Sequence, residues 1–82
     1  MFEVEVKVIY KKGVADPEGA NTAKTLKLLG FDDIKAVKSA KVFRILLDAA
    51  DEDKARERVE EMCDKLLANP VIHDFDIAIK ET

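Results

Sequence analysis

Apolar and polar residues alternate from Phe2 to Tyr10, with Phe2, Val4, Val6, Val8 and Tyr10 set against Glu3, Glu5, Lys7 and Ile9. A period of two sends successive side chains to opposite faces, so residues 2–10 are predicted as a strand with one face on a core. Lys11-Lys12-Gly13 breaks the alternation. Beyond it, Ala20, Ala23, Leu26 and Leu29 recur at near-helical spacing. Asp16 is placed to accept a backbone N–H as N-cap, Pro17 suits the first helical position, and Glu18 favours the positive end of the dipole. With Gly30 as C-terminal cap, the helix is predicted over 17–29.

A second strand is expected over 31–38, burying Phe31, Ile34 and Val37, followed by a short turn at Ser39-Ala40-Lys41. Residues 41–48, KVFRILLD, alternate Phe43, Ile45 and Leu47 against Val42, Arg44 and Leu46. Asp51 caps a second helix with Glu52 and Asp53 in its first turn, and Ala55, Val59, Met62, Cys63, Leu66 and Leu67 form its apolar stripe. Asn69-Pro70 ends it, because proline disfavours helical geometry at the preceding residue. A last strand spans 72–80, with Phe75, Ile77 and Ile79 set against Asp74, Asp76 and Ala78. The order β-α-β-β-α-β predicts an α+β domain of ferredoxin-like plan, a four-stranded antiparallel sheet with two helices on one face.

The 82 residues suffice for one domain over 1–82, with no room for a second core. The formal net charge of −3 argues against a general nucleic-acid binder, which needs a basic face to neutralise phosphates. No apolar run reaches the roughly 20 residues of a membrane span, and MFEVEVKV reads as neither a signal nor a transit peptide. The single Cys63 excludes an internal disulfide and fits a reducing cytoplasm.

Candidate chemistry is sparse. His73 is the lone histidine and has no second imidazole with which to build a metal site or relay. Cys63 sits on the apolar stripe beside Met62, Leu66 and Leu67, where a thiol is normally packing rather than a nucleophile. Gly13 and Gly19 flank VADPE, which matches no phosphate-binding glycine pattern and reads as a turn with a helix cap. Lys11, Lys12 and Lys41 join that loop only if the turns share one end of the fold. The charge runs of the second helix read as a solvated face, with pairs such as Glu52–Arg56 and Glu61–Lys65. A CxxC for metal transport, an arginine in the first loop for acyl-phosphate hydrolysis and stacking aromatics for RNA are all missing. What remains is surface: Ile9, Val42 and Leu46 on the outer sheet face, and unpaired strand edges, which favour self-association.

Across essentially all 82 residues the chain resembles PurS, the small subunit of multi-subunit phosphoribosylformylglycinamidine synthase. KLLANPVI at 65–72 carries most of the resemblance, joined by GVADPEG at 13–19, Leu28-Leu29-Gly30-Phe31 and Lys41. Ala40 departs from the family's usual glycine, His73 from its usual acid and Phe75 from its usual tyrosine. The resemblance implies a non-catalytic subunit of a glutamine-using carbon–nitrogen ligase in purine biosynthesis. That complex turns formylglycinamide ribonucleotide, ATP and glutamine into formylglycinamidine ribonucleotide, ADP, phosphate and glutamate. It further implies pairing with a second copy, bridging of the large synthase subunit and the glutaminase subunit, and help in coupling ammonia between them. ATP and magnesium would serve the large subunit, leaving no cofactor here. The partner interface is expected at Leu67, Asn69, Pro70 and Ile72, then at Lys41 and the loop of Gly13, Asp16, Pro17 and Gly19. The alternative is a small dimeric ligand-sensing domain of the same fold; a stand-alone enzyme using Cys63 or His73 ranks third.

Overall fold

The computed structural model describes residues 1–82. Its elements are β1 (Phe2–Tyr10), α1 (Pro17–Leu28), β2 (Ala40–Leu47), α2 (Glu52–Met62), a π-helical turn (Cys63–Leu67) and β3 (His73–Glu81). The sheet is antiparallel and three-stranded in the order β2-β1-β3. Phe2, Val4 and Val6 lie opposite Leu47, Ile45 and Phe43 on one side, while Val4, Val6 and Val8 meet Ile79, Ile77 and Phe75 on the other. The alternation therefore builds one apolar face from all three strands. Phe2, Val4, Val6 and Val8 are buried there under Ala55, Val59 and Cys63 of the second helical segment. No helix is long and apolar enough to cross a membrane.

The expected fourth strand at 31–38 is not formed, so the four-stranded ferredoxin-like sheet is corrected to three strands. Phe31, Ile34 and Val37 are spaced by three, whereas a pleated strand presents one face only at a spacing of two. Phe31 is exposed, and Ile34 and Val37 are half-buried.

A second correction concerns α1, which does not cover the sheet beside α2. Its only buried residue is Gly19, and Leu29 just past its end is exposed rather than in the core. With α1 away from the core, the molecule measures 51 × 28 × 15 Å. The helix is nonetheless closed at both ends. Asp16 Oδ1 accepts from the Gly19 N–H at 2.9 Å. At the other end the Gly30 N–H reaches the Lys27 carbonyl and the Phe31 N–H the Leu26 carbonyl, both at 3.1 Å, a Schellman closure. Gly30 takes φ +101°, which an L side chain rarely tolerates.

The second helix departs from regular geometry where the sequence looks greasiest. Ala55, Val59 and Cys63 are buried at a spacing of four, and the next buried residue, Ala68, is five further on. The Ala68 N–H closes that wider turn on the Cys63 carbonyl at 3.0 Å. One extra residue in the π turn shifts the buried stripe, putting Ala68 inside and leaving Leu66 exposed. Of the pairs expected on this helix, Glu61–Lys65 is present at 3.8 Å. Glu52–Arg56 is replaced by Lys54–Glu57 at 3.5 Å and Arg58–Glu61 at 3.9 Å.

Candidate functional site

Two local structures meet at one end of the sheet. The first is the turn after the π segment. The Asn69 carbonyl accepts from the Ile72 N–H at 3.0 Å and the His73 N–H at 2.7 Å. Its side-chain Oδ1 accepts from the Val71 N–H at 3.0 Å. Pro70 supplies the fixed φ that suits the second position of such a turn. The His73 ring accepts the Asn69 N–H through Nδ1 at 2.9 Å and packs at a tilt on Tyr10, with centroids 5.1 Å apart. Across the strand pair, the Lys11 N–H donates to the Ile72 carbonyl at 2.8 Å. Lys11 Nζ also reaches Asp74 at 3.0 Å, but this pair is exposed and adds little stability.

The second is the root of α1. Besides capping the helix, Asp16 accepts from the Ser39 N–H at 2.6 Å and the Ser39 hydroxyl at 2.7 Å. The helix start is thereby tied to the start of β2. The Ser39 N–H, then the Gly19 N–H, then the Ser39 hydroxyl hold the Asp16 carboxyl below its ordinary pKa. Gly19 is required for close approach, since a Cβ there would run into the Val37 carbonyl.

Between these structures lie two adjoining recesses. One, of about 310 Å³, is walled in part by Tyr10, Glu18, Lys41, Leu67 and His73. The other, of about 600 Å³, includes Lys7, Lys11, Lys12 and Lys38 with Gly13 and Asp16. The structure thus brings Leu67, Lys41, Gly13 and Asp16 to one end of the fold, as the sequence allowed. Asn69 and Pro70 are exposed on the turn above, Ile72 is half-buried and Pro17 is exposed at the helix start. Lys41 Nζ stands 6.0 Å from the Phe43 ring centroid.

Sequence reasoning missed Ser39, Tyr10 and the ring of His73. Their partners lie 23 or more residues away, or form only once the turn has closed. Cys63 is fully buried, and burial, then Asp64, then Glu60 push its thiol pKa upward, the opposite of nucleophile activation. No group of three or more His, Cys, Asp or Glu side chains is arranged to hold a metal ion.

A stapled turn, a capped helix root and a helix standing away from the sheet define a small α+β module. A sequence model of the PurS family, described as phosphoribosylformylglycinamidine (FGAM) synthase, matches residues 3–81, and the chain belongs to that family. The PurS subunit of Methanocaldococcus jannaschii is 44% identical over 81 residues, covering 99% of this chain and 98% of the relative. That of Archaeoglobus fulgidus is 49% identical over 77 residues, covering 94% and 96%. The crystal structure of Methanocaldococcus jannaschii PurS, one of the subunits of formylglycinamide ribonucleotide amidotransferase, superposes with a TM-score of 0.91 over 100% of this chain and 99% of that one. A PurLQS structure from Thermotoga maritima contains a chain with a TM-score of 0.85 at 26% identity, covering 96% of each.

Proposed function

We infer that this chain is the non-catalytic small subunit of FGAM synthase in purine biosynthesis. The observation that carries this reading is the family match over residues 3–81, joined by the likeness to a chain of PurLQS. Acting as one domain in the cytoplasm, it bridges the large synthase subunit and the glutaminase subunit, pairs with a second copy of itself and aids ammonia coupling. ATP and magnesium act in the large subunit, and this chain holds no cofactor. The partner-facing end is the one built by Leu67, Asn69, Pro70 and Ile72 with Lys41, Gly13, Asp16, Pro17 and Gly19. Leu67 and Lys41 line one recess at this end and Gly13 and Asp16 the other, which supports that assignment.

The test is reconstitution with the large and glutaminase subunits. Omitting this chain lowers glutamine-dependent amidine formation and spares the ammonia-dependent reaction of the large subunit. Unchanged glutamine-dependent activity without it overturns the reading. Asn69→Ala and Pro70→Ala test the docking end: each weakens complex formation while the circular dichroism of the folded chain is retained.

A second reading, a dimeric ligand-sensing domain, draws support from the recess lined by Lys7, Lys11, Lys12 and Lys38. Thermal stabilisation by a nucleotide or an amino acid, without partner subunits, would favour it.

A further inference from the structure

A chain of net charge −3 gathers lysines from three separate segments around one recess. Lys7 comes from β1, Lys11 and Lys12 from the loop after it, and Lys38 from the segment before β2. Four lysines face two carboxylates there, Asp16 and Asp74, a balance of +2. Both carboxylates already have donors: Asp74 takes Lys11 at 3.0 Å, and Asp16 takes the Gly19 N–H and both donors of Ser39. Lys7, Lys12 and Lys38 belong to none of the ion pairs of the chain. Asp76 stands opposite Lys7 in the β1–β3 register without closing a pair, and Lys41 and Glu18 cancel in the adjoining recess. Like charges held together repel, and an anion from outside relieves that repulsion.

The turn beside the recess adds backbone donors. The Val14 N–H closes on the Lys11 carbonyl at 3.0 Å with Gly13 at φ +86°, as in a type II turn. Neither the Lys12 N–H nor the Gly13 N–H donates to a backbone carbonyl. Apart from the chain neighbours of Gly13, no atom lies within 4 Å of where a Cβ would stand there, so a ligand has room to reach the main chain. The smaller recess continues from this one, sharing Tyr10, Ser39 and Ala40. It adds Val8, Leu67 and the His73 ring, which packs on Tyr10. Charge at one end and an apolar, aromatic wall at the other suit a ligand with an anionic head and an organic body. A phosphate ester brings about −1.5 to −2 of charge and three acceptor oxygens at neutral pH, which matches three unpaired lysines better than a single carboxylate does.

We propose that the two recesses together bind a small phosphate ester, its phosphate among Lys7, Lys12 and Lys38 beside the Lys12–Gly13 backbone, its organic body against Tyr10 and His73. The ligand is bound and not transformed, since the one thiol of the chain, Cys63, is buried in the core. The site is built from this chain alone, so it goes beyond the assembly role and does not depend on it.

The experiment is calorimetric titration of the full chain, at about 0.15 M ionic strength, with inorganic phosphate, ribose 5-phosphate, AMP and ATP. At least one ester saturates the chain, and does so more tightly than inorganic phosphate by more than about tenfold. Which ester binds best assigns the source: ribose 5-phosphate points to a sugar phosphate, AMP or ATP to a nucleotide. Lys12→Ala and Lys38→Ala alter exposed side chains and keep the circular dichroism of wild type, and each weakens that ester by more than about fivefold. Lys24→Ala and Lys80→Ala, outside both recesses, leave it unchanged. No saturation by any ester, inorganic phosphate binding as tightly as the esters, or equal losses from Lys24→Ala and Lys12→Ala overturns the proposal. None of these results bears on reconstitution with the large and glutaminase subunits, which tests the assembly role separately.

Discussion

The Asn69 N–H donates to His73 Nδ1 across 2.9 Å, while the His73 N–H returns to the Asn69 carbonyl at 2.7 Å. Backbone and ring thus close the turn in both directions, and Tyr10 packs against the ring. Replacing His73 by Ala removes one acceptor and one aromatic contact. The expected cost is about 1 kcal/mol, the net worth of one such hydrogen bond. Urea denaturation reads it as a lower midpoint at unchanged slope. A variant as stable as wild type would mean that water replaces the imidazole without loss.

Asp16 makes the stability of the α1 root depend on pH. Its folded-state pKa lies below the ordinary 3.8 because Ser39 and Gly19 donate to the carboxylate. A depressed carboxyl pKa gives stabilisation that is present above the unfolded-state value and lost as pH falls through the folded-state value. The Tm difference between wild type and Asp16→Asn is therefore widest above about pH 5 and narrows below about pH 4. The asparagine amide can still accept from Gly19, but its NH2 group faces the Ser39 N–H donor. A gap that is flat from pH 7 to pH 3 would remove the carboxylate from the account.

Local patterns disclosed the local elements. β1, β2 and β3 follow from alternation, α1 from Asp16, Pro17 and Gly30, and the end of the second helical segment from Asn69-Pro70. What escaped the sequence depends on distance or on a partner. Phe31, Ile34 and Val37 looked like a strand because they are apolar, yet their spacing of three fits no pleat. The stripe of α1 looked like core, and periodicity cannot say whose core it joins. The candidate end was legible through Leu67, Lys41 and Asp16, but Ser39 and the ring of His73 became visible only when the turn and the helix root were placed together.

The π turn sets a contrast between neighbouring positions. Val59 is fully buried and Ala68 is 8% exposed. Val59→Ala removes two methyl-sized groups from the core and should cost about 2 kcal/mol. Ala68→Leu forces extra volume into the site that the wider turn selects for a small residue, and costs about 1–3 kcal/mol. Chemical denaturation at matched protein concentration measures both. Toleration of leucine at position 68 would show that the five-residue step does not fix the packing there.

Cys63 supplies the last test of the buried stripe. Its side chain is fully buried between Val59 and Ala68 in the order of the stripe, and burial, then Asp64, then Glu60 raise the thiol pKa above the ordinary 9.0. Thiolate is the reactive form, so both inaccessibility and the raised pKa slow modification. At pH 8 a thiol reagent should label the folded chain at least about a hundredfold more slowly than the chain in urea, because reaction has to wait for opening. The sign for stability is the reverse of that for Asp16. A raised thiol pKa favours the neutral folded state, so its contribution is present below the ordinary value and fades as pH rises through the folded-state value. Rapid labelling of native protein at pH 8, with unchanged circular dichroism, would place Cys63 at an accessible surface and remove it from the core.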